Sequence, residues 1–301
     1  MDLKASIIIL TKNAESTIGA ALDNVFSSKL KGQFEVIVID SGSTDTTKQI
    51  IKKYPVRFCE IPAEKFSHGG TRNMGAEFAQ GEFLVFLTQD AIPRDENWLA
   101  TLLDSFDKYE VVGVYGRQIP RQVSPIEEFY LGFLYPGQRI LKKNIPKKEH
   151  LLKDIFFSNV NSAIKKSIWE KYRFNENLIM SEDQEWSRRV LEDGYAVLYE
   201  PSAAVYHSHN YGPLQLLRRN FDSGMSLKGI VYCSFSKALI YELSYLFKEI
   251  MYLRSKRQYR WLLRLPLYEV SRLTGFALGF NQRFIPYPIK RRLSLRERYW
   301  K

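Results

Sequence analysis

The residues best suited to chemistry in this chain stand at the ends of apolar runs. Gly81-Glu-Phe-Leu-Val-Phe-Leu-Thr-Gln-Asp-Ala-Ile-Pro93 begins with a mostly apolar stretch, residues 82–87, and closes on Asp90. A buried strand does not tolerate an unpaired carboxylate, so Asp90 either initiates the Ala91-Ile92-Pro93 turn or binds a partner such as a cation. Asp40 follows the apolar run 34–39 in the same way, and an acid there is placed to accept hydrogen bonds from a nucleotide base or ribose. Capping of the next helix is the alternative for Asp40 and Asp45; ligand contact suits Asp40 better, and capping suits Asp45. His68, Arg72 and Asn73 beside Gly69-Gly70 combine backbone N–H groups with a fork donor, a set suited to a diphosphate. His207 and His209 sit two apart on an extended chain and share one side, but no second ligand pair lies nearby, so one metal-binding histidine is expected rather than a zinc site. Ser181 and Gln184 have the spacing of a capping box around Glu182 and Asp183, and two acids in a first helical turn are favoured by the helix dipole without any catalysis.

Holding these groups together takes a sheet. Residues 5–10, 34–39, 56–61 and 82–87 read as strands, separated by a helix with Ile18, Leu22, Val25 and Phe26 on one face, a helix through Ile50 and Ile51, and a short helix over 74–79. This alternation predicts an α/β domain, a Rossmann-like, mainly parallel sheet flanked by helices, whose ligands bind beyond the carboxyl ends of the strands. A further helix carries Trp98, Leu102 and Phe106, and strands are expected over 111–115 and 156–164. Between them, residues 118–154 hold Pro120, Pro125, Pro136 and Pro146 and are expected as a long surface excursion that shapes an acceptor pocket. Two short extended segments lead to Tyr206, and beyond Pro213 the chain is helical, with Leu239, Leu243, Leu246, Ile250 and Leu253 on one stripe. The expected organisation is a nucleotide-sugar-binding half over 1–117, an acceptor-binding and catalytic half over 118–224, and a basic, aromatic helical extension over 225–301.

Composition narrows the classes. A chain of 301 residues with 45% hydrophobic content fills the core of one large domain, or of a domain with an appendage. Cys59 and Cys233 are far apart and belong to no metal-spaced cluster, which fits a reducing, cytoplasmic compartment. The start shows no signal-peptide pattern, and Lys228, Lys237, Glu242, Lys248 and Glu249 interrupt the region closest to a membrane span. The net charge of +11 is concentrated: residues 254–301 hold 13 Lys/Arg against 2 Asp/Glu, and the rest of the chain is balanced. Such an end suits nucleic acid or an anionic membrane surface. Most such stripes are packing faces, but the aromatic-flanked stripe running into Arg254-Ser-Lys-Arg257 and Lys290-Arg-Arg292 favours contact with anionic lipid, on the inner face of the plasma membrane, over plain packing, and nucleic acid is not expected.

Five ordered motifs span roughly the first 225 residues: Ser6-Ile-Ile-Ile-Leu-Thr-Lys-Asn13, Val38-Ile-Asp-Ser-Gly-Ser-Thr-Asp45, Phe66-Ser-His-Gly-Gly-Thr-Arg-Asn73, Phe86-Leu-Thr-Gln-Asp-Ala91 and Ser181-Glu-Asp-Gln-Glu-Trp186. Together they resemble the family 2 glycosyltransferases of the GT-A fold, and within them the bacterial rhamnosyltransferases that build surface polysaccharides such as O-antigen. The resemblance implies an inverting transfer of a sugar from a nucleotide donor to a hydroxyl of a glycan or lipid-linked glycan, with Mg²⁺ or Mn²⁺. It implies donor-nucleotide contacts at Thr11, Asn13, Glu15, Asp40 and Ser41, joined by His68, Arg72, Thr88 and Gln89. It places metal ligation at Asp90 and His207, the general base at Asp183, and acceptor or sugar contacts at Glu182 and Trp186. Thr88 departs from the pattern, since the family usually has Asp there. That acid often contacts ribose, so its replacement suits a deoxyribose donor such as dTDP-rhamnose, with UDP- or GDP-sugars as the alternative. A nucleotidyltransferase should show glycines right after the first strand, which Thr11-Lys12-Asn13-Ala14 lacks. A non-enzymatic binder of membrane or nucleic acid accounts for the tail but not for the strand-end acids.

Overall fold

The computed structural model describes residues 3–30, 33–296 and 299–300; Arg298 and Lys301 of the basic tail lie outside the described residues. The β-branched run at the start forms β1 (Ala5–Thr11), which pairs in parallel with β2 (Phe34–Asp40) on one side and β4 (Phe83–Thr88) on the other; β3 (Arg57–Glu60) extends the sheet beyond β2. The crossovers are α1 (Ile18–Phe26), α2 (Thr47–Ile51) and α3 (His68–Phe78). Next come β5 (Ile92–Pro93), α4 (Trp98–Lys108), β6 (Gly113–Ile119), α5 (Pro125–Leu134), β7 (Ile140–Lys143), α6 (Leu152–Ile155), β8 (Asn161–Lys165), α7 (Lys166–Lys171), α8 (Glu182–Glu192) and β9 (Ala196–Tyr206). Among the described residues nine strands form one sheet in the order β3-β2-β1-β4-β8-β6-β9-β5, with β7 attached to β9. β8 runs antiparallel to both β4 and β6, so the sheet is parallel on the β1 side and mixed beyond it.

Both faces of the sheet are covered, which is why its strands read as near-continuous apolar runs. Successive side chains point to opposite faces. Ile7, Ile9, Val36, Val38, Val85 and Leu87 join α1 and α4 in one core, while Ile8, Ile37, Ile39, Leu84 and Phe86 join Ala76, Trp169 and Trp186 in the other.

Several local expectations change. α3 begins at His68, six residues before the expected start, because the Ser67 hydroxyl caps it by accepting the Gly70 N–H at 3.0 Å. Gly69 is admitted there because the backbone of Asn175 and Glu176 occupies the space of a side chain. The stretch 118–154 is not one loose excursion: Ser124 accepts the Glu127 N–H, Pro125 starts α5, and β7 and α6 follow. The capping box at Ser181 does not form; Ser181 is left-handed at φ 67° and makes no side-chain cap. The two expected extended segments are one strand, β9, with an irregularity opposite Gly116 and Arg117.

The remainder consists of α9 (Pro213–Leu227), α10 (Phe235–Ser255), α11 (Tyr259–Phe280) and α12 (Tyr287–Leu293). α11 packs backbone to backbone on α9, since a Cβ at Gly224, Gly275 or Gly279 would run into the carbonyl of Phe276, Leu217 or Phe221. The stripe expected on α10 divides: Leu253 is buried, Leu246 and Ile250 are partly buried, and Leu239 and Leu243 are exposed. Among the described residues no helix is long and apolar enough to cross a membrane.

Candidate active site

At the carboxyl end of β4 the chain turns, and the Ala91 N–H bonds to the Thr88 carbonyl. That turn aims Asp90 at the end of β9, where His207 and His209 follow the strand. Ligand atoms of Asp90, His207 and His209 all lie within 4.8 Å of one another, and His207 Nε2 is 3.5 Å from Asp90 Oδ1. The Oε1 of Gln118 stands 2.8 Å from His207 Nδ1, while the Gln118 amide nitrogen donates to the Ser158 hydroxyl at 3.1 Å and to the Tyr135 hydroxyl. That amide presents its oxygen to Nδ1, so Gln118 fixes the imidazole ring with its Nε2 facing Asp90. Burial pulls the Asp90 carboxyl upward, but the hydrogen bond and charge of His207 and the charge of His209 outweigh it and hold the carboxyl well below the usual carboxylate range. Burial, aided by His207, lowers His209 to about 4. One carboxylate and two imidazoles make a donor set that fits Mn²⁺ well and the harder Mg²⁺ less well.

The second centre is Asp183, in the first turn of α8. Its Oδ2 accepts the Asn159 N–H at 2.9 Å, and its Oδ1 accepts the Gln184 N–H at 2.9 Å. Burial and then the charge of Glu182 push its carboxyl up to about 7, against the Asn159 N–H and the charge of Arg72. Glu182 itself pairs with Arg72, both nearly buried. The two centres share one rim. The Thr88 N–H bonds to the carbonyl of Val160, next to the Asn159 that holds Asp183. Tyr135, bonded to Gln118, feels the charge of Asp183. An acid kept partly protonated thus stands near a cluster built to keep an anionic oxygen charged.

The third part is a pair of loops beyond β1 and β2. Asp40 is fully buried; its Oδ1 accepts the Gly42 and Ser43 N–H groups at 3.0 and 2.8 Å, and its Oδ2 accepts the Ser43 hydroxyl. The carboxylate therefore builds the loop and presents no open oxygen to a ligand, which corrects the expected direct contact. Asn13, left-handed at φ 47°, accepts the Thr44 N–H at 2.9 Å, and Glu15 accepts the Thr46 N–H and hydroxyl at 3.0 and 2.8 Å. Both remain exposed. Ser41 is held by the Thr11 carbonyl through its N–H at 2.9 Å, and the buried Thr11 hydroxyl has no hydrogen-bond partner among the described residues. Gln89 spends its side chain on the backbone of Lys12, accepting at 2.7 Å and donating at 3.3 Å, so it fastens the loop instead of reaching a donor.

The family description "Glycosyl transferase family 2" matches residues 6–173, more than half of the chain and all of its strand-end loops up to β8. The chain belongs to glycosyl transferase family 2. Similar proteins include the O-antigen chain rhamnosyltransferase WbaN of Salmonella anatum, 31% identical over 98% of this chain and 95% of that one. The O-antigen chain rhamnosyltransferase RfbN of Salmonella typhimurium is 30% identical over 99% and 96%. Among solved structures, the mannosyltransferase PcManGT of Pyrobaculum calidifontis, in complex with GDP-Man and Mn²⁺, superposes with a TM-score of 0.62 at 15% identity, over 93% of this chain and 86% of that one. TarS 1–349 of S. aureus with UDP gives 0.55 at 16% identity, over 93% and 91%. The fold is that of the GT-A enzymes, and the chain is an inverting glycosyltransferase.

Within this glycosyltransferase the expected site residues divide. Asp90 and His207 meet, together with His209, and Asp183 connects to the end of β4 through Asn159 and the Thr88–Val160 bond. Trp186 does not join them: it is fully buried against Phe157 and Phe174, so it cannot touch an acceptor sugar. Arg72 and Glu182 neutralise each other instead of facing ligand, which corrects the diphosphate and acceptor roles expected of them. His209 is the partner that the expectation of a single metal-binding histidine set aside; the two-residue spacing on an extended chain was the available signal. Gln118 and Asn159 carried no local signal. Nor did Arg219 and Arg296, whose charges, with that of Arg72, add to the larger effect of burial in holding the His68 pKa well below the ordinary value. Arg219 donates to the Tyr211 hydroxyl at 3.4 Å.

Proposed function

We propose that this glycosyltransferase moves L-rhamnose from dTDP-rhamnose to a hydroxyl of a glycan or lipid-linked glycan, in the cytoplasm at the inner face of the plasma membrane. Its similarity to two rhamnosyltransferases over nearly the whole chain carries the choice of donor. Thr88 supports it, because a hydroxyl stands where a second acid would hold a ribose. On this reading Thr11, Asn13, Glu15 and Ser41 border the base and sugar of the nucleotide, and His68 faces its diphosphate beside Arg219. Mg²⁺ or Mn²⁺ held by Asp90, His207 and His209 would supply neutralising charge for the departing diphosphate.

Asp183 is the base. Its ionised form accepts the proton of the acceptor hydroxyl while that oxygen bonds to the anomeric carbon and the bond to the diphosphate oxygen breaks, in one inverting displacement. The Asn159 N–H keeps the receiving oxygen in place, and Arg72, paired with Glu182, offsets part of the Glu182 charge that raises the Asp183 carboxyl. The deciding experiment screens dTDP-rhamnose against UDP- and GDP-sugars for hydrolysis and transfer, with and without EDTA, and measures their binding by calorimetry. dTDP-rhamnose is expected to bind tightest and turn over fastest; tighter binding of a UDP- or GDP-sugar overturns the donor and leaves the reaction class standing.

A further inference from the structure

The hairpin of α10 and α11 leaves two apolar rows uncovered. On α10, Phe235, Leu239, Leu243, Phe247 and Met251 recur every four residues, and all are exposed, Phe235 by 83% and Phe247 by 65%. On α11, Leu263, Leu267, Val270 and Leu273 recur at intervals of four and three, with Leu263 exposed by 85%. On α11 this spacing keeps the row on one side of the helix, while on α10 a constant step of four drifts by about 40° each time, so that row winds around the helix away from its buried side. The inward sides are taken by Tyr245, Glu249 and Leu253 on α10 and by Leu265 and Glu269 on α11. Apolar rows of this extent are rarely left to water.

The charges indicate what covers them. The hairpin has three acids, and all are committed inward. Glu249 is fully buried and Glu269 is 8% exposed, while Arg272 binds Glu242 at 2.5 Å and Glu269 at 2.7 Å. Outward, Lys248, Arg254, Lys256, Arg257, Arg260 and Arg264 stand among and beside the apolar rows, and among the described residues none of them pairs with a carboxylate. A second copy of this chain would bring the same basic rim against itself across a two-fold interface, with no acids to answer it. RNA would use the cations but leave the leucines in water. A bilayer of anionic phospholipid uses both, taking the apolar rows into the acyl boundary and the Lys and Arg side chains onto its phosphates.

We propose that the α10–α11 hairpin docks on an anionic phospholipid bilayer, with Phe235 to Met251 and Leu263 to Leu273 as the inserting rows and the Arg254-Ser-Lys-Arg257 turn as an electrostatic contact. The hairpin lies on the membrane, since neither helix is apolar enough to cross it. Its tight packing on α9, which follows directly on the His207–His209 segment, passes the orientation of the membrane to the active site. The inference is independent of which sugar and acceptor are used.

The test is co-sedimentation of the full chain with phosphatidylcholine vesicles, with and without phosphatidylglycerol, at low and high salt. Binding is expected to the phosphatidylglycerol vesicles and to fall with salt. The variant R254E/K256E/R257E and the variant L243S/F247S should each weaken it by roughly tenfold or more, while hydrolysis of the nucleotide-sugar donor stays unchanged. Equal binding to both vesicle types at every salt, or none to either, overturns the proposal. So does a dimer in light scattering that L243S/F247S disperses without any vesicle binding, or an RNA affinity exceeding that for the vesicles. Should L243S/F247S not fold, the charge-reversed variant, altered only at exposed positions of the turn, decides alone. Donor hydrolysis separates this outcome from the fate of the catalytic reading.

Discussion

Asp183 is held in a state that favours its proton, and that makes it both a base and a burden. Its carboxyl lies at about 7 in the folded chain against the ordinary 3.8 of an aspartate. Turnover is therefore expected to rise with pH through about 7, as the base form fills, which a pH–rate profile measures. Asp183→Asn should lower kcat by roughly 10²–10⁴-fold or more and leave donor affinity, read by calorimetry, nearly intact. Unchanged turnover would remove Asp183 from the mechanism. Stability should move the other way. A carboxyl with a raised folded pKa binds protons more readily folded than unfolded, so its contribution to stability is full below 3.8 and is lost as pH rises through about 7. At pH 8 the Asn variant is thus expected to melt at a higher temperature than the parent, and near pH 4 the gap should close. Gln118 offers a separate test, since it touches His207 and not the ligand. Gln118→Leu should free the imidazole and weaken Mn²⁺ binding by about 10–100-fold in a titration followed by calorimetry.

Among the elements, the α9–α11 crossing matters most to the molecule's shape. Two glycines of α11 and one of α9 let the backbones touch, and a methyl group at Gly279 would meet the Phe221 carbonyl, a backbone atom that cannot swing aside. Gly279→Ala should cost about 1–3 kcal/mol and lower the melting temperature, although alanine is the better helix former. A stabilised variant would show that the crossing is looser than its packing indicates. The α8 start is a second such place. Ser181 offers no cap, and its left-handed backbone swings Glu182 and Asp183 toward Arg72 and Asn159. A short motif that reads as a capping box is used instead to aim two acids, because tertiary partners outbid a local side-chain bond.

At the scale of the whole molecule, the extension does not behave as a detachable piece. Phe221 on α9 is fully buried, and α11 covers the same helix through Gly224, so a chain cut after residue 228 would expose this contact. Such a truncation is expected to melt lower and to be digested faster in limited proteolysis than the full chain; an equally stable fragment would show that the extension is separable. Local patterns were enough to read the apolar strands, the alternation that predicts parallel crossovers, and the acids at the ends of β2 and β4. Each depends on side chains within a few residues of one another: a period of two, a helical face, a turn after a strand. Motif order was likewise sufficient for the family. The use of each polar group was decided only by the tertiary structure. Asp40 was legible as a strand-end acid, but not that its own loop would consume both oxygens. Gln89 is fastened to Lys12, 77 residues away, Arg72 to Glu182, 110 away, and His207 to Gln118, 89 away. Hydrogen-bond partners at those separations leave no periodic trace, because any donor on one strand end can meet any acceptor on another once the sheet closes. Asp90 was legible as an acid in the right place, and it took the folded β9 to bring His207 and His209 against it.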